Sequence, residues 1–309
     1  METVAAASHS KLGYAACALA GCLWGTGFFF GKIALTEMGV AHMVLYRFFF
    51  TCFVLLPLVW CHPARLSAGE WRLLLFASFL GVPAQFLVQF YGLSLTTVSH
   101  AALMVGTMPV LLAAAAALFA HERLDAVGWL ALFASTTGVA LIVFARTPAA
   151  SGTQSPSIVG DMLVVLSLVI ALGWVLLNKQ LMQRHSPIVV SAYGTACGTV
   201  MLLLIVPPNY GLPPIAHVSL NAWLALAASG VLCTAATTLL WNWGLTQVPA
   251  SQAGVLLNME PLIGSILGVF VLHESLGPSA RLGGVLILAA AIIVTTRSRT
   301  RVREQLPST

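Results

Sequence analysis

The second half of this 309-residue chain repeats the first. Residues 91–144 read YGLSLTTVSHAALMVGTMPVLLAAAAALFAHERLDAVGWLALFASTTGVALIVF. Residues 243–296 read WGLTQVPASQAGVLLNMEPLIGSILGVFVLHESLGPSARLGGVLILAAAIIVTT, and the two align without a gap at a constant offset of 152. Identical pairs include Gly92/Gly244, Ser99/Ser251, Ala101/Ala253, Pro109/Pro261, His121/His273, Glu122/Glu274 and Leu124/Leu276. The fold must therefore be built from two copies of one unit.

The medium around those units follows from composition. The chain is 59% hydrophobic and only 7% charged, against roughly 45–50% and about 25% in a soluble domain. So few charges cannot cover a soluble protein of this size, so most of the chain is expected in lipid. The formal net charge of +5 does not point to nucleic acid, because Arg297, Arg299, Arg301 and Arg303 crowd into one short tail after the last apolar run. Such a tail reads as a topology signal and a contact for anionic lipid headgroups. The six cysteines form no C-x-x-C pair and no Cys/His cluster at metal spacing, and they read as small buried hydrophobes. Leu19-Ala20-Gly21-Cys22 resembles a lipoprotein cleavage box, but the apolar run continues far beyond Cys22. That length argues against a cleaved signal.

A spanning helix needs about 20 mostly apolar residues. Ten such runs occur, near 12–35, 41–61, 71–91, 97–119, 125–145, 160–182, 187–207, 220–243, 249–272 and 278–296. The predicted organisation is a first five-helix unit at 12–145, a Ser/Pro/Gly-rich linker at 146–159, a second unit at 160–296 and a basic cytoplasmic tail at 297–309. With the N-terminus inside, ten of the lysines and arginines fall on the cytoplasmic side, Arg146 and Arg281 outside, and Lys32 and Arg47 within spans. The bias predicts both termini in the cytoplasm. Five spans per copy is an odd number, so the second copy is expected upside down relative to the first. The expected fold is all-α, ten transmembrane helices as two inverted five-helix repeats. Repeated membrane units are how many transporters build a central site with two alternate openings.

Several residues carry a family resemblance: Trp24-Gly25, Tyr46-Arg47, Gly92…Ser99-x-Ala101…Pro109…Glu122-x-Leu124, and the echo Gly244…Ser251-x-Ala253…Glu260-Pro261…Glu274-x-Leu276. With the ten spans and the duplication, the chain resembles the EamA-type branch of the drug/metabolite transporter superfamily over about 12–296. That resemblance implies a secondary transporter of the bacterial inner membrane, usually exporting amino acids or other small metabolites. It does not name a substrate.

An ionisable group within a span costs about 2.5–3.5 kcal/mol on insertion scales, which makes Lys32, Arg47 and Glu260 functional suspects. Glu260 is placed mid-span, where a carboxyl must be protonated, paired or wet, and it is the candidate for proton coupling. Its first-half counterpart is Met108. Gln85 and Gln89 share a helix face and map onto Thr237 and Trp241. Trp24 and Trp174 occupy comparable places in spans one and six. Tyr91 and Asn242 complete the cavity-lining candidates, with His100, Asn178, Tyr193, Gln252 and Asn258 as further polar residues. Glycines 21, 25, 27 and 31 read as a small-residue stripe down span one. Pro83, Pro109 and Pro261 are expected to bend their helices. His121-Glu122 and His273-Glu274, at span ends, read as caps or interface markers. No metal site, cofactor or nucleotide loop is expected, so energy should come from a gradient of substrate, proton or counter-substrate. The alternatives are an integral-membrane enzyme, for which no H-E-x-x-H or G-x-S-x-G motif is present, and a non-transport scaffold or channel.

Overall fold

The computed structural model describes residues 2–61, 63–111, 114, 126–144, 155–211, 215, 217–248 and 256–305. Among the described residues the chain is all helical, with ten helices and no strand. In chain order they are α1 (Glu2–Leu35), α2 (Val40–Cys61), α3 (Ala68–Leu95), α4 (Val98–Leu111), α5 (Ala126–Val143), α6 (Ile158–Leu181), α7 (Pro187–Tyr210), α8 (Leu220–Gln247), α9 (Met259–Phe270) and α10 (Pro278–Gln305). Seven of them are long and apolar enough to cross a membrane, while the apolar stretches of α4, α9 and α10, the last at Pro278–Ile293, are shorter. Phe53, Phe133, Leu204 and Val285 are 62–70% exposed, an outward apolar surface that only lipid can solvate favourably. The linker around 146–154, His121-Glu122, Arg123 and Gln252 lie outside the described residues.

Helix starts are set by short polar side chains next to the apolar runs. Ser67 accepts from the Glu70 N–H while Glu70 reaches back to the Ser67 N–H, a full capping box. Ser186 and Ser219 cap α7 and α8 by accepting from the Val189 and Ala222 N–H groups, without the reciprocal carboxylate, and Pro187 takes the first helical position of α7.

Two pairs of irregularities interrupt the helices. In α3, residues Leu80–Ala84 form a π-helical segment. Pro83 lies within it, has no N–H to donate and crowds the preceding turn. In α8, residues Val231–Ala236 do the same without a proline. There the Thr234 hydroxyl donates to the Ser229 carbonyl at 3.0 Å, five residues back. Span four is broken at Gly106-Thr107 and span nine at Leu257-Asn258. In both, the proline expected to bend the helix instead sits in the first turn after the break, Pro109 and Pro261. That position suits proline, whose missing N–H is unpaired there anyway.

The packing order is regular. Helix α1 lies against α8 and α9, and α6 against α3 and α4; α2 packs on α7, α4 on α9 and α5 on α10. Close backbone approaches fix two of these contacts. A Cβ on Gly92 would lie 2.8 Å from the Gly160 carbonyl oxygen, and one on Gly244 would lie 3.1 Å from that of Gly13. The glycines of α1 do not act as one stripe. Gly21 and Gly25, one turn apart, face the break in span nine, whereas Gly27 faces Cys233 and Arg47, and Gly31 faces Phe90. A spacing of two residues turns about 200° around a helix, so the set divides between two faces, one against α9 and the other against α8, α2 and α3.

Candidate functional site

Arg47 is the centre of the interior. It sits in α2, where lipid-facing and core-facing residues alternate, and its side chain points inward at 5% exposure. The guanidinium carbon lies 5.0 Å from the centroid of Phe86 and 5.2 Å from that of Phe90. Those two rings stack on one another one turn apart on α3. Such a desolvated cation–π contact is worth about 2 kcal/mol, which offsets part of the cost of burying the charge. Arg47 Nε donates to Thr234 Oγ1 at 3.1 Å, and the Thr234 hydroxyl in turn donates to the Ser229 carbonyl. The π-helical segment of α8 therefore orients the threonine that orients the arginine.

Glu260 comes from the other half. It is the second residue of α9, immediately after the break, rather than midway along a continuous helix. Its N–H is still bonded to Leu257 across the turn. A carboxylate in the first helical turn is favoured by the positive end of the helix dipole. The α1 backbone holds this segment tightly: a Cβ on Gly25 would lie 2.6 Å from the Glu260 carbonyl oxygen. The charges of Glu260 and Arg47 interact across the interior, yet among the described residues they form no direct ion pair. Glu260 is half-buried. Cys233, bonded to Thr26 at 3.0 Å, also carries its thiol beside Arg47.

The other expected residues fall into four groups. Trp24 and Trp241 meet at 5.6 Å between centroids, which joins α1 to α8. Gln85, Trp174 and Asn242 are half-buried; Trp174 covers Gly81 in the π-helical segment of α3. Gln85 Oε1 and Asn242 Nδ2 are buried without a hydrogen-bond partner. Gln89 and Thr237 are buried, and the Thr237 hydroxyl is taken up by the Thr234 carbonyl. Tyr91 stands apart at 54% exposure on the outer face of its helix. Apolar crevices between α2 and α7 and between α3 and α7 are lined by residues such as Phe49, Phe53, Trp71 and Leu75. They open towards lipid, touch neither Arg47 nor Glu260, and offer no polar recognition.

Sequence reasoning missed a second polar cluster, at the α3–α4 connection. Lys32 Nζ donates to the carbonyls of Leu93 at 2.8 Å and Thr96 at 2.7 Å, which ties α1 to the end of α3. Asp161 accepts from the Thr96 hydroxyl and lies 3.1 Å from His100 Nδ1. Glu274 accepts from the N–H groups of Val98 and Ser99 and from the Ser99 hydroxyl, at 2.6–2.8 Å. The expectation that the His273-Glu274 position acts as a cap thus has a structural counterpart, on a helix of the other half. Asp161 is the first-turn acid of α6, a place where a polar residue after a loop carries no signal by itself.

The model of the EamA-like transporter family matches the chain twice, over residues 11–144 and 158–296. An uncharacterized transporter of Archaeoglobus fulgidus is 24% identical over 282 residues, covering 91% of this chain and 96% of its own length. The inner membrane protein YtfF of Escherichia coli is 23% identical over 313 residues, covering 91% and 94%. A protein of known crystal structure shares the fold with a TM-score of 0.63 at 16% identity, over 96% of this chain and 99% of that one. With both halves fitting one transporter model and the helices sized for a bilayer, this chain belongs to the EamA-like transporter family and is a multi-pass membrane protein.

Proposed function

We propose that this protein is a secondary active transporter that exports a small metabolite, such as an amino acid or related compound, by alternating access. Two inverted five-helix repeats at 12–145 and 160–296 move against each other in the cell inner membrane, with both termini cytoplasmic. One observation carries the reading: Arg47 and Glu260, from opposite halves, lie near enough for their charges to act on one another and do not close into an ion pair. Opposite charges held apart in a low-dielectric interior leave room for a solute or water between them. Trp24, Gln85, Gln89, Trp174, Thr237, Trp241 and Asn242 surround that space in this reading, and Tyr91, on the outer face of its helix, is not part of it.

Symmetry supports it. The π-helical segments at Leu80–Ala84 and Val231–Ala236 fall at equivalent positions under the 152-residue offset, and so, within one residue, do the breaks in spans four and nine. The α1–α8 and α6–α3 contacts exchange under the same operation. Broken helices at the middle of duplicated membrane proteins are where transporters place their sites. No nucleotide loop is present in the sequence, so a gradient drives the cycle, with Glu260 as the group that takes and releases a proton or meets a counter-substrate.

The test is flux into proteoliposomes for a panel of amino acids and related metabolites, preceded by a thermal-shift screen in which a ligand raises the melting temperature. A hit transported by the parent protein and not by Glu260→Gln, with its pH dependence also gone, supports the assignment. Unchanged flux and pH dependence in Glu260→Gln would remove Glu260 from coupling. A hydrolytic or transferase activity without flux of any metabolite would favour the enzyme reading.

A further inference from the structure

Arg47 has more hydrogen-bonding capacity than the protein uses. A guanidinium carries its N–H donors in a planar fork. Here Nε donates to Thr234 Oγ1, and among the described residues Nη1 and Nη2 donate to nothing. Glu260 does not take them, since the two residues form no ion pair. The side chain is 5% exposed, so these donors are held away from bulk water. Buried donors are almost always met by protein, ordered water or a ligand. Lys32, another cation within a span, differs: its ammonium is spent on the Leu93 and Thr96 carbonyls.

Helix α1 leaves that edge of the fork uncovered. A Cβ on Gly27 would have Nη2 and Nη1 as its nearest guanidinium atoms, at 3.7 and 3.8 Å. A larger residue there would stand across the two terminal nitrogens. The other half of the molecule carries such a residue. Gly13 meets Gly244 as Gly160 meets Gly92, so α1 corresponds to α6 at a shift of 147 and α3 to α8 at 152. The same shifts pair Gly27 with Trp174 and Gly81 with Cys233, and Gly27 lies against Cys233 as Trp174 lies against Gly81. Arg47 corresponds to Gly194: Gly230 meets the Arg47 backbone as Ser78 meets Gly194. One copy thus sets a glycine beside an arginine where the other has a tryptophan and a glycine. The cation and its uncovered edge belong to one copy, so the repeated architecture does not account for them.

We propose that the Nη1–Nη2 edge of Arg47 is the subsite for a carboxylate of the transported solute, and that Gly27 keeps it open. The inference rests on the transporter reading above and names the group that its site selects. Two parallel N–H···O bonds from one guanidinium match both oxygens of a carboxylate, a geometry that a lysine ammonium does not offer. Phe86 and Phe90 lie against the guanidinium and Thr234 holds Nε, so the fork is oriented before a ligand arrives. Glu260 stands within electrostatic reach of the same arginine. A solute that carries a cation beside its carboxylate answers both charges and is held better than a plain acid.

Thermal-shift titration of the full-length protein tests this with L-amino acids and the matching 2-hydroxy acids, each beside its carboxamide. The acids should stabilise the protein, amino acids above hydroxy acids, and each carboxamide should bind about tenfold more weakly or worse. Arg47→Lys should erase the preference for acid over carboxamide. Gly27→Ala is the sharper variant, because its methyl makes only ordinary contacts of 3.6–3.8 Å and displaces no neighbour. Its melting temperature without ligand should match the parent's, while its affinity for the acid falls about tenfold. Carboxamides that bind as well as their acids overturn the proposal. So do a panel in which no acid binds, a stabilisation that sodium chloride reproduces at equal concentration, and an unchanged acid affinity in Gly27→Ala. Hydroxy acids that bind as tightly as amino acids contradict the part given to Glu260. If either variant fails to fold, the comparison of acid with carboxamide in the parent decides. Flux of a solute without a carboxylate would keep the transporter reading and remove this subsite. An acid bound with the expected selectivity but never moved across proteoliposomes would do the reverse.

Discussion

Spans four and nine are the same device built twice, and they differ where it matters. Each is interrupted, at Gly106-Thr107 and at Leu257-Asn258, each resumes within a few residues of a proline, and each packs against the other. At the equivalent position span four carries Met108 and span nine carries Glu260. The turn after the first break therefore carries no ionisable group at this position, whereas the turn after the second presents a carboxylate whose charge interacts with a buried arginine. The duplication supplies the backbone geometry, and the divergence supplies the chemistry. A binding site at a symmetry axis becomes selective only through residues that the symmetry does not repeat.

The largest effects should come from erasing that difference. Glu260→Met, which makes span nine like span four, is expected to lower flux of the transported solute at least tenfold, while circular dichroism still shows a folded bundle. Retained flux would place recognition elsewhere. Arg47→Ala should be as severe for flux and also costly for the fold, by about 3 kcal/mol, because it removes the cation–π contacts, frees Thr234 and leaves Glu260 without its opposite charge. A thermal unfolding curve indistinguishable from the parent's would contradict the structural half of this claim.

Backbone packing at the two breaks sharpens the comparison further. Gly25→Ala puts a methyl 2.6 Å from the Glu260 carbonyl oxygen, whereas Gly106→Ala puts one 3.0 Å from the Ile287 side chain and the Leu103 carbonyl. The first must displace backbone, so a cost of about 1–3 kcal/mol is expected, and the second should cost less. Melting temperatures in the reverse order would show that the span-four break is the tighter of the two.

The smallest effect lies outside the membrane, where Glu37 joins the α1–α2 turn to the start of α8. Its carboxylate accepts from the Ser219 hydroxyl and then the Ser219 N–H, both at 2.6 Å, which holds its pKa below the ordinary carboxylate value. A lowered folded-state pKa means stability that is present above the unfolded pKa and lost as pH falls through the folded one. The melting temperature of the parent should exceed that of Glu37→Gln at neutral pH, and the gap should close in acid. A gap that widens in acid would contradict the sign.

Much of this molecule could be read from the chain. The ten apolar runs locate most helix bounds to within a few residues where these are described, although α1 starts at Glu2 and α10 runs on to Gln305, and the unpaired cost of charge in lipid singled out Lys32, Arg47 and Glu260. Other features were illegible for identifiable reasons. A π-helical segment without proline, as in α8, depends on which carbonyl Thr234 reaches. A break at Leu257-Asn258 leaves no breaker residue at the break itself, and the nearby Pro261 suggested a bend instead. Asp161 and Thr96 are ordinary polar residues at helix ends until they meet.

The amino-acid sequence by itself determined that the chain is lipid-embedded, helical and duplicated, because hydropathy is additive along the chain and a repeat is visible in one dimension. Only the tertiary structure decided that Arg47 reaches Thr234, 187 positions away, that Glu260 faces it from a broken helix, and that Glu274 grips Ser99 across the halves. Those contacts depend on how helices rotate and approach one another. Close backbone packing at glycines such as Gly25, Gly92 and Gly244 sets those rotations, and no local pattern records them.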